Sequence, residues 1–344
     1  MDGGFEILND LVVINDPSAA YTCTSQFIEY QNSRGNGVEL FVIDNSAYSL
    51  VKLEHYVDQE FSLLYNNGFF NLKIRSARFL GSQVLSSGMP NSKLIEMSKE
   101  IFRKTNVSVI VLPALRMANF KYSVKDFNKN GMSYFLLGGW QECINILVPE
   151  NVEIYLKKLG KKKRYNLNRQ SKKIGELIGS ELKVHEFYSE EHVPEFIRHI
   201  GILDPNFIEN NSWIKDGYVE LAKRGLFHGF VFGSIDEPVA VVDAKKTNAT
   251  LYVTKIFINS RFKELSPGST AMFEIIKSII MQGAFCKIDF GYGEPGQKNS
   301  SVSSIDYRGR MVIVNKRVLA FYLFSVFDKI ISAKLFIKSK ILRR

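Results

Sequence analysis

The sequence has few cysteines, and their spacing suits neither a disulfide framework nor a metal site. Its 344 residues include only Cys23, Cys143 and Cys286, an odd number at wide spacing. Disulfide-rich secreted domains and zinc modules carry cysteines in regular, closely spaced sets. We therefore expect no disulfide framework and no metal, and we expect a reducing compartment.

Signals for export and for membrane insertion are also missing. Residues 1–10 hold three acidic residues and no basic one, whereas a secretory signal begins with positive charge and continues with an apolar run. No stretch reaches the roughly 18–20 apolar residues that span a bilayer. We expect a cytoplasmic protein whose contact with a membrane, if any, is peripheral and at the inner face.

Several cofactor and catalytic motifs are absent as well. The sequence has no G-x-x-x-x-G-K-[ST] loop and no G-x-G-x-x-G fingerprint, which argues against P-loop and dinucleotide enzymes. Its five histidines have no cysteine or serine partner in a local triad-like pattern. We assign these histidines no role.

Basic residues are in excess. Lys and Arg number 45 against 35 Asp and Glu, a net charge of +10, which favours anionic partners such as nucleotide phosphates, lipid or nucleic acid. Part of the excess is a run without an acid between Glu153 and Glu176. A solvated helix face is the preferred interpretation of this run and an acidic ligand or lipid is the alternative, while its few aromatic residues argue against nucleic acid. The basic residues are Lys157, Lys158, Lys161, Lys162, Lys163, Arg164, Arg169, Lys172 and Lys173.

The apolar periodicity predicts a mixed α/β chain with a domain boundary near Pro149. We expect an N-terminal domain over 1–149, a second domain over 150–317 and a basic C-terminal helix over 318–344. The predicted strands are 38–43, 72–80, 108–113, 182–187, 226–235, 239–245, 250–258 and 288–290, and the predicted helices are 93–104, 150–179, 190–201, 213–224 and 270–282. Three of these strands, between 226 and 258, form a predicted antiparallel meander.

The C-terminal helix ends in a basic tail. Six basic residues follow Phe327, against the single acid Asp328. A basic helical tail of this kind is attracted to anionic lipid. We expect residues 328–344 to bind anionic vesicles weakly.

The segment after the meander is the first candidate site. Ser266-Pro267-Gly268-Ser269 precedes a predicted helix, and a helix N-terminus binds phosphate through its unpaired N–H groups. Glycine permits close approach of the backbone to a ligand. An ordinary capped helix is the alternative interpretation. The predicted cofactor ligands are Arg261, Ser266, Gly268, Ser269 and Thr270, with added charge from Lys263.

A second candidate site is the loop from Asp289 to Lys298. Asp289, at the end of a predicted strand, is followed by Gly291, Gly293 and Gly296, which predict a flexible loop. Asp289 or Glu294 can accept a proton from an amine, and Lys298 can bind an anion. A turn with solvated charges is the alternative interpretation.

Three motifs in this region resemble a known family. The segment Leu156-Lys157-Lys158-Leu159-Gly160-Lys161-Lys162-Lys163-Arg164-Tyr165-Asn166-Leu167-Asn168-Arg169 resembles the L-S-K-K-x-R-x-N-L-R-R helix of CelD-like proteins. These proteins are a branch of the GNAT acyltransferase superfamily close to the FemAB peptidyltransferases. Ser266-Pro267-Gly268 resembles the family's cofactor loop, and Asp289-Phe290-x-x-Gly293-x-x-x-x-Lys298 resembles its D-F-x-x-G-x-x-x-Y-K signature.

The resemblance covers residues 150–300 and extends faintly to Phe79-Leu80-Gly81. Two positions depart from the family pattern. Gln297 stands where the family usually has Tyr, and Gly160 stands where it often has Ser. The first departure removes any phenol from that site.

The resemblance implies tandem GNAT-like lobes with mixed, mainly antiparallel sheets flanked by helices, the first lobe degenerate. The second would hold acyl-CoA, with an acetyl or longer chain, beside residues 266–270. An amine would attack the thioester directly, with Asp289 as the base, Asp243 as the alternative base and Lys298 holding an anionic part of the acceptor. The expected acceptor is a small-molecule or glycan amine, such as an amino sugar or an envelope-polysaccharide precursor.

Two other functions stay open from the sequence. A FemAB-like enzyme would use aminoacyl-tRNA as its donor, and the basic run would then contact RNA phosphates. A non-catalytic partner in envelope-polysaccharide assembly would bind no acyl-CoA at all. A steep fall of RNA binding with salt would favour the aminoacyl-tRNA donor. Failure to bind any acyl-CoA would favour the non-catalytic partner.

Overall fold

A computed structural model gives the fold of most of the chain. The structure describes residues 25–33, 38–43, 47–53, 59–62, 71–74, 76–80, 91–105, 107–117, 120, 123–247, 249–292, 303–319, 321–326 and 329. Within these residues, no helix combines the length and apolar content needed to cross a bilayer. Most of the basic tail, together with Glu294, Gln297 and Lys298, lies outside the described residues.

The chain divides into two compact units. Described residues of 22–141 and 307–344 form the first, and those of 142–306 form the second. Strand β7 runs from the first unit into the second, and β13 runs from the second back into the first. The predicted domain bounds of 1–149, 150–317 and 318–344 stay a prediction.

Among its described residues, the first unit contains three complete helices, six complete strands and most of two more strands; residues 319, 321–326 and 329 are also helical. Its helices are α1 (Ser25–Ser33), α2 (Asn91–Lys104) and α3 (Val124–Lys129). Its strands are β1 (Val38–Ile43), β2 (Ala47–Leu53), β3 (Gln59–Ser62), β4 (Asn71–Ile74), β5 (Ser76–Leu80), β6 (Val109–Arg116) and the first part of β7 (Met132–Leu147). The last strand, β13 (Ser303–Asn315), pairs with β6.

The second unit carries the candidate sites. Its strands after β7 are β8 (Lys183–Phe187), β9 (Phe227–Gly233), β10 (Pro238–Lys246), β11 (Thr250–Ile258) and β12 (Lys287–Asp289). Its helices are α4 (Val152–Leu159), α5 (Lys161–Ile178), α6 (Val193–Leu203), α7 (Pro205–Glu209), α8 (Ile214–Lys223) and α9 (Pro267–Gln282). Short 3-10 helices precede α6 and α9, at Glu190–His192 and Ser260–Leu265.

Each unit has its own strand order. In the second unit the order is β7-β12-β11-β10-β9-β8, antiparallel except for the β11–β12 pair. In the first unit the order is β1-β2-β5-β6-β13, antiparallel except for the β5–β6 pair. Strands β3 and β4 form a separate hairpin. The prediction of a mixed α/β fold with mainly antiparallel sheets is confirmed.

The two units repeat one order of connections. In the second, the meander β9-β10-β11 leads through α9 to β12, which lies parallel to β11 and antiparallel to β7. In the first, β1-β2-β5 leads through α2 to β6, which lies parallel to β5 and antiparallel to β13. The hairpin β3-β4 is inserted between β2 and β5. The two units share this topology, but the sequence contains no repeated motif that would predict it.

Helix α9 is the central helix of the second unit's core. Phe273, Ile276 and Ile279 on α9 are fully buried in one cluster with Val242 of β10 and Leu251 of β11. Strand β9 is buried along its whole length, as expected for a strand covered on both faces. An apolar helix against apolar strands is the arrangement that removes most hydrocarbon surface from water.

Three sequence predictions need correction. The single helix expected over 150–179 is broken by Gly160, whose φ of 76° and ψ of 152° are not helical, into α4 and α5. The strand expected over 72–80 is two strands, β4 and β5. Pro113 does not end β6, because Pro113 and Ala114 together oppose one residue of β13 in a bulge, where a missing N–H is tolerated. Strands β2, β3, β7 and β13 were not predicted.

Helix α6 packs directly on a glycine of β9. A Cβ built on Gly229 would lie 2.7 Å from Cζ of Phe196, a fully buried ring of α6. We predict that Gly229→Ala lowers the free energy of unfolding by about 1–3 kcal/mol, because the added methyl overpacks this contact. The control is Gly201→Ala, where the Cβ would meet only Ile208, at 3.8 Å. Equal thermal stability of both variants would contradict the prediction.

Candidate functional site

Strand β11 has an open edge where it leaves β12. The two strands pair in parallel only from Thr250 opposite Lys287 to Tyr252 opposite Asp289. Strand β12 ends at Asp289, whereas β11 continues to Ile258. Within the part of the chain that the structure describes, residues 253–258 therefore have no strand partner on that side. Unpaired strand N–H and C=O groups are available to an extended ligand.

A bulge lies at the start of this open edge. Asp243 of β10 pairs with Lys255 and the next residue, Ala244, pairs with Val253, so Thr254 is an extra residue in β11. Thr254 and Lys255 are exposed although the first four residues of the strand are buried. Bulges are common beside active sites, because they bend a strand and re-aim its side chains.

The N-terminus of α9 lies beside the end of β11. The first helical hydrogen bond at this end runs from the N–H of Thr270 to the carbonyl of Ser266, at 3.0 Å. Pro267 has no N–H, so the N–H groups of Gly268 and Ser269 precede that bond, as orphan donors of a first turn do. A Cβ at Gly268 would lie 3.4 Å from Ile258 and 3.6 Å from Ile256. The first turn therefore lies against these two side chains of β11, with room for a methyl group at position 268.

Ser266 adopts a conformation that residues other than glycine rarely adopt. Its φ of 48° and ψ of 56° make it the one non-glycine residue with positive φ in the described parts of the chain. Its side chain makes no capping hydrogen bond to α9. Conformations of this kind cost on the order of 1 kcal/mol and are concentrated at ligand sites. The first turn of α9 is therefore left uncapped at some cost in stability.

Two of the predicted cofactor ligands are engaged with the protein itself. Arg261 forms an ion pair with Glu237 and donates to the carbonyl of Leu177, at 3.1 Å, at the end of α5. Thr270 is fully buried, and its hydroxyl donates to the carbonyls of Leu265 and Ser266 at 3.3 and 3.2 Å. The N–H groups of Gly268 and Ser269 are the groups left available at this end of the helix. The cofactor roles of all five residues stay predictions.

Asp243 is buried in a charged contact that the sequence did not reveal. Its Oδ1 accepts a hydrogen bond from Nζ of Lys245 at 2.6 Å, and its Oδ2 accepts one from Oγ1 of Thr254 at 2.6 Å. Nζ of Lys245 also lies 4.7 Å from the ring centre of Tyr218 on α8. Both charged side chains are about nine-tenths buried. With both oxygens engaged, Asp243 is poorly placed to take a proton from a substrate.

Asp289 lies on the same face of the sheet as Asp243. The register sets Asp289 opposite Tyr252, and Tyr252 opposite Lys245, two residues from Asp243. Asp289 is 2% exposed, and its Oδ1 accepts a hydrogen bond from the N–H of Gly291 at 2.8 Å. The fold thus brings both predicted bases to one sheet face, with β11 between them. Their catalytic roles stay predictions.

Lys245, Thr254 and Tyr252 were missed by sequence reasoning. The signal was available in β10, where Asp243 and Lys245 alternate with the apolar Val242 and Ala244 on a strand with turns at both ends. Alternation places such residues on one face, but sequence alone does not show that this face is covered. No group of three or more His, Cys, Asp and Glu side chains is placed to hold a metal, among the described residues.

A separate polar cluster joins β8, β9 and the last turns of α9. Nε2 of His228 lies 3.4 Å from Oε2 of Glu186, and Oε1 of Glu186 accepts hydrogen bonds from Gln282 at 2.7 Å and Ser278 at 3.3 Å. The interaction with His228 is the main cause that holds the pKa of Glu186 below its ordinary value, while partial burial opposes it. Glu186 is therefore charged in the folded protein at neutral pH.

This cluster predicts a pH dependence of stability. Because its pKa is lowered by folding, Glu186 stabilises the fold above its unfolded pKa of about 4.3, and this contribution is lost as the pH falls through the lowered folded value. We expect Glu186→Gln to be less stable than the wild type at pH 7 and the difference to shrink below about pH 4. Urea unfolding at both pH values measures it. A constant difference would contradict this account.

Comparison with known proteins identifies a domain in this region. Residues 161–299 match the family model described as Acetyltransferase (GNAT) domain, and no curated protein matches the sequence. The match contains β9, β10, β11, α9 and β12, and therefore the open edge and the uncapped helix. The predicted GNAT resemblance is confirmed for these residues, while the narrower CelD-like and FemAB-like branch stays a prediction.

Solved structures share the fold. FemX matches with a TM-score of 0.56 at 10% identity, over 91% of this chain and 96% of its own. A conserved protein of unknown function from Bacteroides thetaiotaomicron matches with a TM-score of 0.50 at 8% identity, over 84% of this chain and 89% of its own. At these identities the likeness concerns the fold alone.

Proposed function

We propose that this chain is a GNAT-type N-acyltransferase that moves an acyl group from acyl-CoA to an amine. One observation carries the proposal: β11 leaves β12 beside the uncapped first turn of α9. This places an extended row of backbone groups and two helical N–H donors next to each other, within the residues that match the GNAT domain. An acyl-CoA has the complementary parts, a pyrophosphate and an extended acyl-pantetheine arm.

The donor would bind mainly through backbone groups. The pyrophosphate would accept hydrogen bonds from the N–H groups of Gly268 and Ser269, favoured by the positive end of the α9 dipole. The arm would lie along residues 253–258, whose N–H and C=O groups face no strand of the described residues on that side. Such binding requires few basic side chains, which is consistent with the engagement of Arg261 by Glu237.

The reaction would be direct transfer. The unprotonated amine attacks the thioester carbonyl, a C–N bond forms, and the C–S bond breaks to release the CoA thiol. A base must take one proton from the attacking nitrogen. We propose Asp289 for this role, because it ends β12 where the strands part. Positioning of amine and thioester supplies much of the rate.

Calorimetry with acetyl-CoA, longer acyl-CoA species and free CoA tests the donor site without knowledge of the acceptor. Release of the CoA thiol in the presence of amino sugars and other amines then tests transfer. We expect binding of acyl-CoA and amine-dependent thiol release. Absence of binding to every CoA species would refute the proposed donor and favour the non-catalytic alternative in polysaccharide assembly. Binding of acyl-CoA without thiol release would refute transfer to the amines tested.

A second candidate function, transfer from aminoacyl-tRNA, is favoured by the surface of α5. At 100° per residue, five exposed basic side chains fall within about 120° of the helix circumference, around the exposed Tyr165. They are Lys161, Lys162, Arg169, Lys172 and Lys173. Their ion pairing in the described residues is limited to the 3.9 Å contact of Lys172 with Glu176. We call this set the basic stripe.

The salt dependence of tRNA binding tests this second candidate. Five neutralised phosphates would give a slope of log K against log salt of about −3.5 to −4.5. Replacement of the five basic residues of the stripe by Gln should abolish most of that slope, whereas Lys215→Gln, at an exposed lysine on α8, should leave it unchanged. If the wild type binds tRNA weakly and its affinity does not change with salt concentration, aminoacyl-tRNA is not the donor.

A further inference from the structure

We propose that Thr254, Asp243 and Lys245 form a positioning chain that fixes the bulge of β11 and so decides which side chains of β11 face the first turn of α9. The inference rests on the proposed function, because it assigns these residues to the geometry of the proposed donor site. None of the three is proposed to touch the reacting atoms.

The bulge reverses the alternation of side chains along β11. Before it, Leu251 and Val253 face the core that contains α9, and Val253 pairs with Ala244 of that same core. After it, Ile256 pairs with Val242, which is also in this core. Residues 251, 253 and 256 share a face only because Thr254 is an extra residue, since sheet side chains otherwise alternate strictly.

Loss of the bulge would therefore change the wall of the donor site. A regular strand would turn Lys255 and Phe257 toward α9 in place of Ile256 and Ile258. In the structure, Ile256 and Ile258 are the side chains nearest to a Cβ built on Gly268. Lys255 instead lies on the other face, with Nζ 3.7 Å from the ring centre of Phe207 and 3.7 Å from Asp204. The bulge keeps this charge away from the first turn of α9.

The positioning chain holds the bulge from the opposite strand. The hydroxyl of Thr254 donates to the carboxylate of Asp243 at 2.6 Å, and the same hydroxyl lies 3.0 Å from the carbonyl oxygen of Asp243. Lys245 fixes the other carboxylate oxygen at 2.6 Å. The bonds join the extra residue to the strand position at which the register shifts. Charge-assisted hydrogen bonds of this length are the strong ones, so the chain resists slippage of β11 by one residue.

Stability alone does not call for such a chain. A buried ion pair seldom stabilises a fold more than apolar residues of similar volume would. Here the pair lies where β11 parts from β12, and it bonds to a threonine that is itself exposed. The buried charges of Asp243 and Lys245 hold the exposed Thr254 in place. We attribute this arrangement to the bulge that Thr254 forms at the open edge of β11.

The test uses Thr254→Val, which keeps the shape and removes the hydroxyl, and Thr254→Ser, which restores it. Thr250→Val, the same change at a buried position at the start of β11, is the matched control. We expect Thr254→Val to weaken acetyl-CoA binding at least 10-fold by calorimetry, Thr254→Ser to bind within about threefold of the wild type, and Thr250→Val to bind as the wild type does. Equal affinity of Thr254→Val and wild type, or equal losses at positions 254 and 250, would overturn the proposal.

Hydrogen exchange separates this inference from the proposed function. If the wild type binds no CoA species, the proposed donor is wrong, and the positioning chain is then judged by backbone exchange alone. Faster hydrogen exchange of residues 253–258 in Thr254→Val than in Thr250→Val supports the proposed positioning chain. Equal exchange in the two variants overturns it.

Discussion

Gly268→Asp is expected to abolish binding of acyl-CoA while the protein stays folded. The N–H groups of Gly268 and Ser269 are the donors proposed for the pyrophosphate, and charge-assisted hydrogen bonds contribute roughly 1.5–3 kcal/mol each. An aspartate in this turn brings a negative charge to the phosphates. Loss of both bonds corresponds to an affinity at least about 100-fold lower. Calorimetry with acetyl-CoA measures this change.

The fold should tolerate this substitution. Gly268 is not among the glycines with positive φ, so the helical backbone there accepts any L-residue. Asp near a helix N-terminus also interacts favourably with the helix dipole. Gly268→Ala is the matched control, since its methyl would make an ordinary contact with Ile258 at 3.4 Å, and we expect its affinity to stay within about fivefold of the wild type. If the folded Asp variant binds acetyl-CoA as the wild type does, the pyrophosphate does not bind at this turn.

Asp243→Ala is expected to lower the free energy of unfolding by about 3–5 kcal/mol. The substitution leaves the ammonium of Lys245 buried without its carboxylate, and removal of one partner of a buried ion pair is costly for this reason. Thr254 loses its side-chain acceptor in the same step. Chemical denaturation followed by circular dichroism measures the loss.

A double variant separates the buried charge from the packing. In Asp243→Val/Lys245→Met both charges are replaced by apolar groups, and we expect most of the lost stability to return, as it does for other buried pairs. Acetyl-CoA binding of this double variant should stay weak, because the bulge has lost the carboxylate that holds Thr254. A double variant as unstable as Asp243→Ala would show that the effect comes from packing and not from the unpaired charge.

The meander and the helix after it were predictable because their signals are local. The turn-forming residue types at Asp236-Glu237-Pro238 and at Thr247-Asn248 separate three β-rich runs of the sequence, and Pro267 begins α9 as prolines often begin helices. The order of these elements was enough to predict the mixed fold and to place the phosphate-binding candidate at the end of β11.

The remaining features depend on partners distant in sequence. Strand β7 contains Gly138-Gly139, which resembles a turn, yet it is a 16-residue strand whose last residues pair with β12, more than 130 positions later. The bulge at Thr254 cannot be inferred from Thr250–Ile258 alone, since either alternation of those residues yields a plausible strand. The burial of Asp243 and Lys245 depends on Tyr218 of α8, roughly 25 positions upstream, which no pattern in β10 specifies.

The return of β13 to the first unit has a consequence for the order of events during synthesis. Met311 and Ile313 of β13 are fully buried in the same cluster as Leu94, Ile101 and Ile110. When the ribosome has made residues 22–141, that cluster still lacks one wall, and β6 lacks its antiparallel neighbour. The whole of residues 142–306 must be translated before the missing strand emerges. The nascent chain therefore carries an unfinished apolar surface until β13 is made, and during this interval a chaperone has its clearest opportunity to bind.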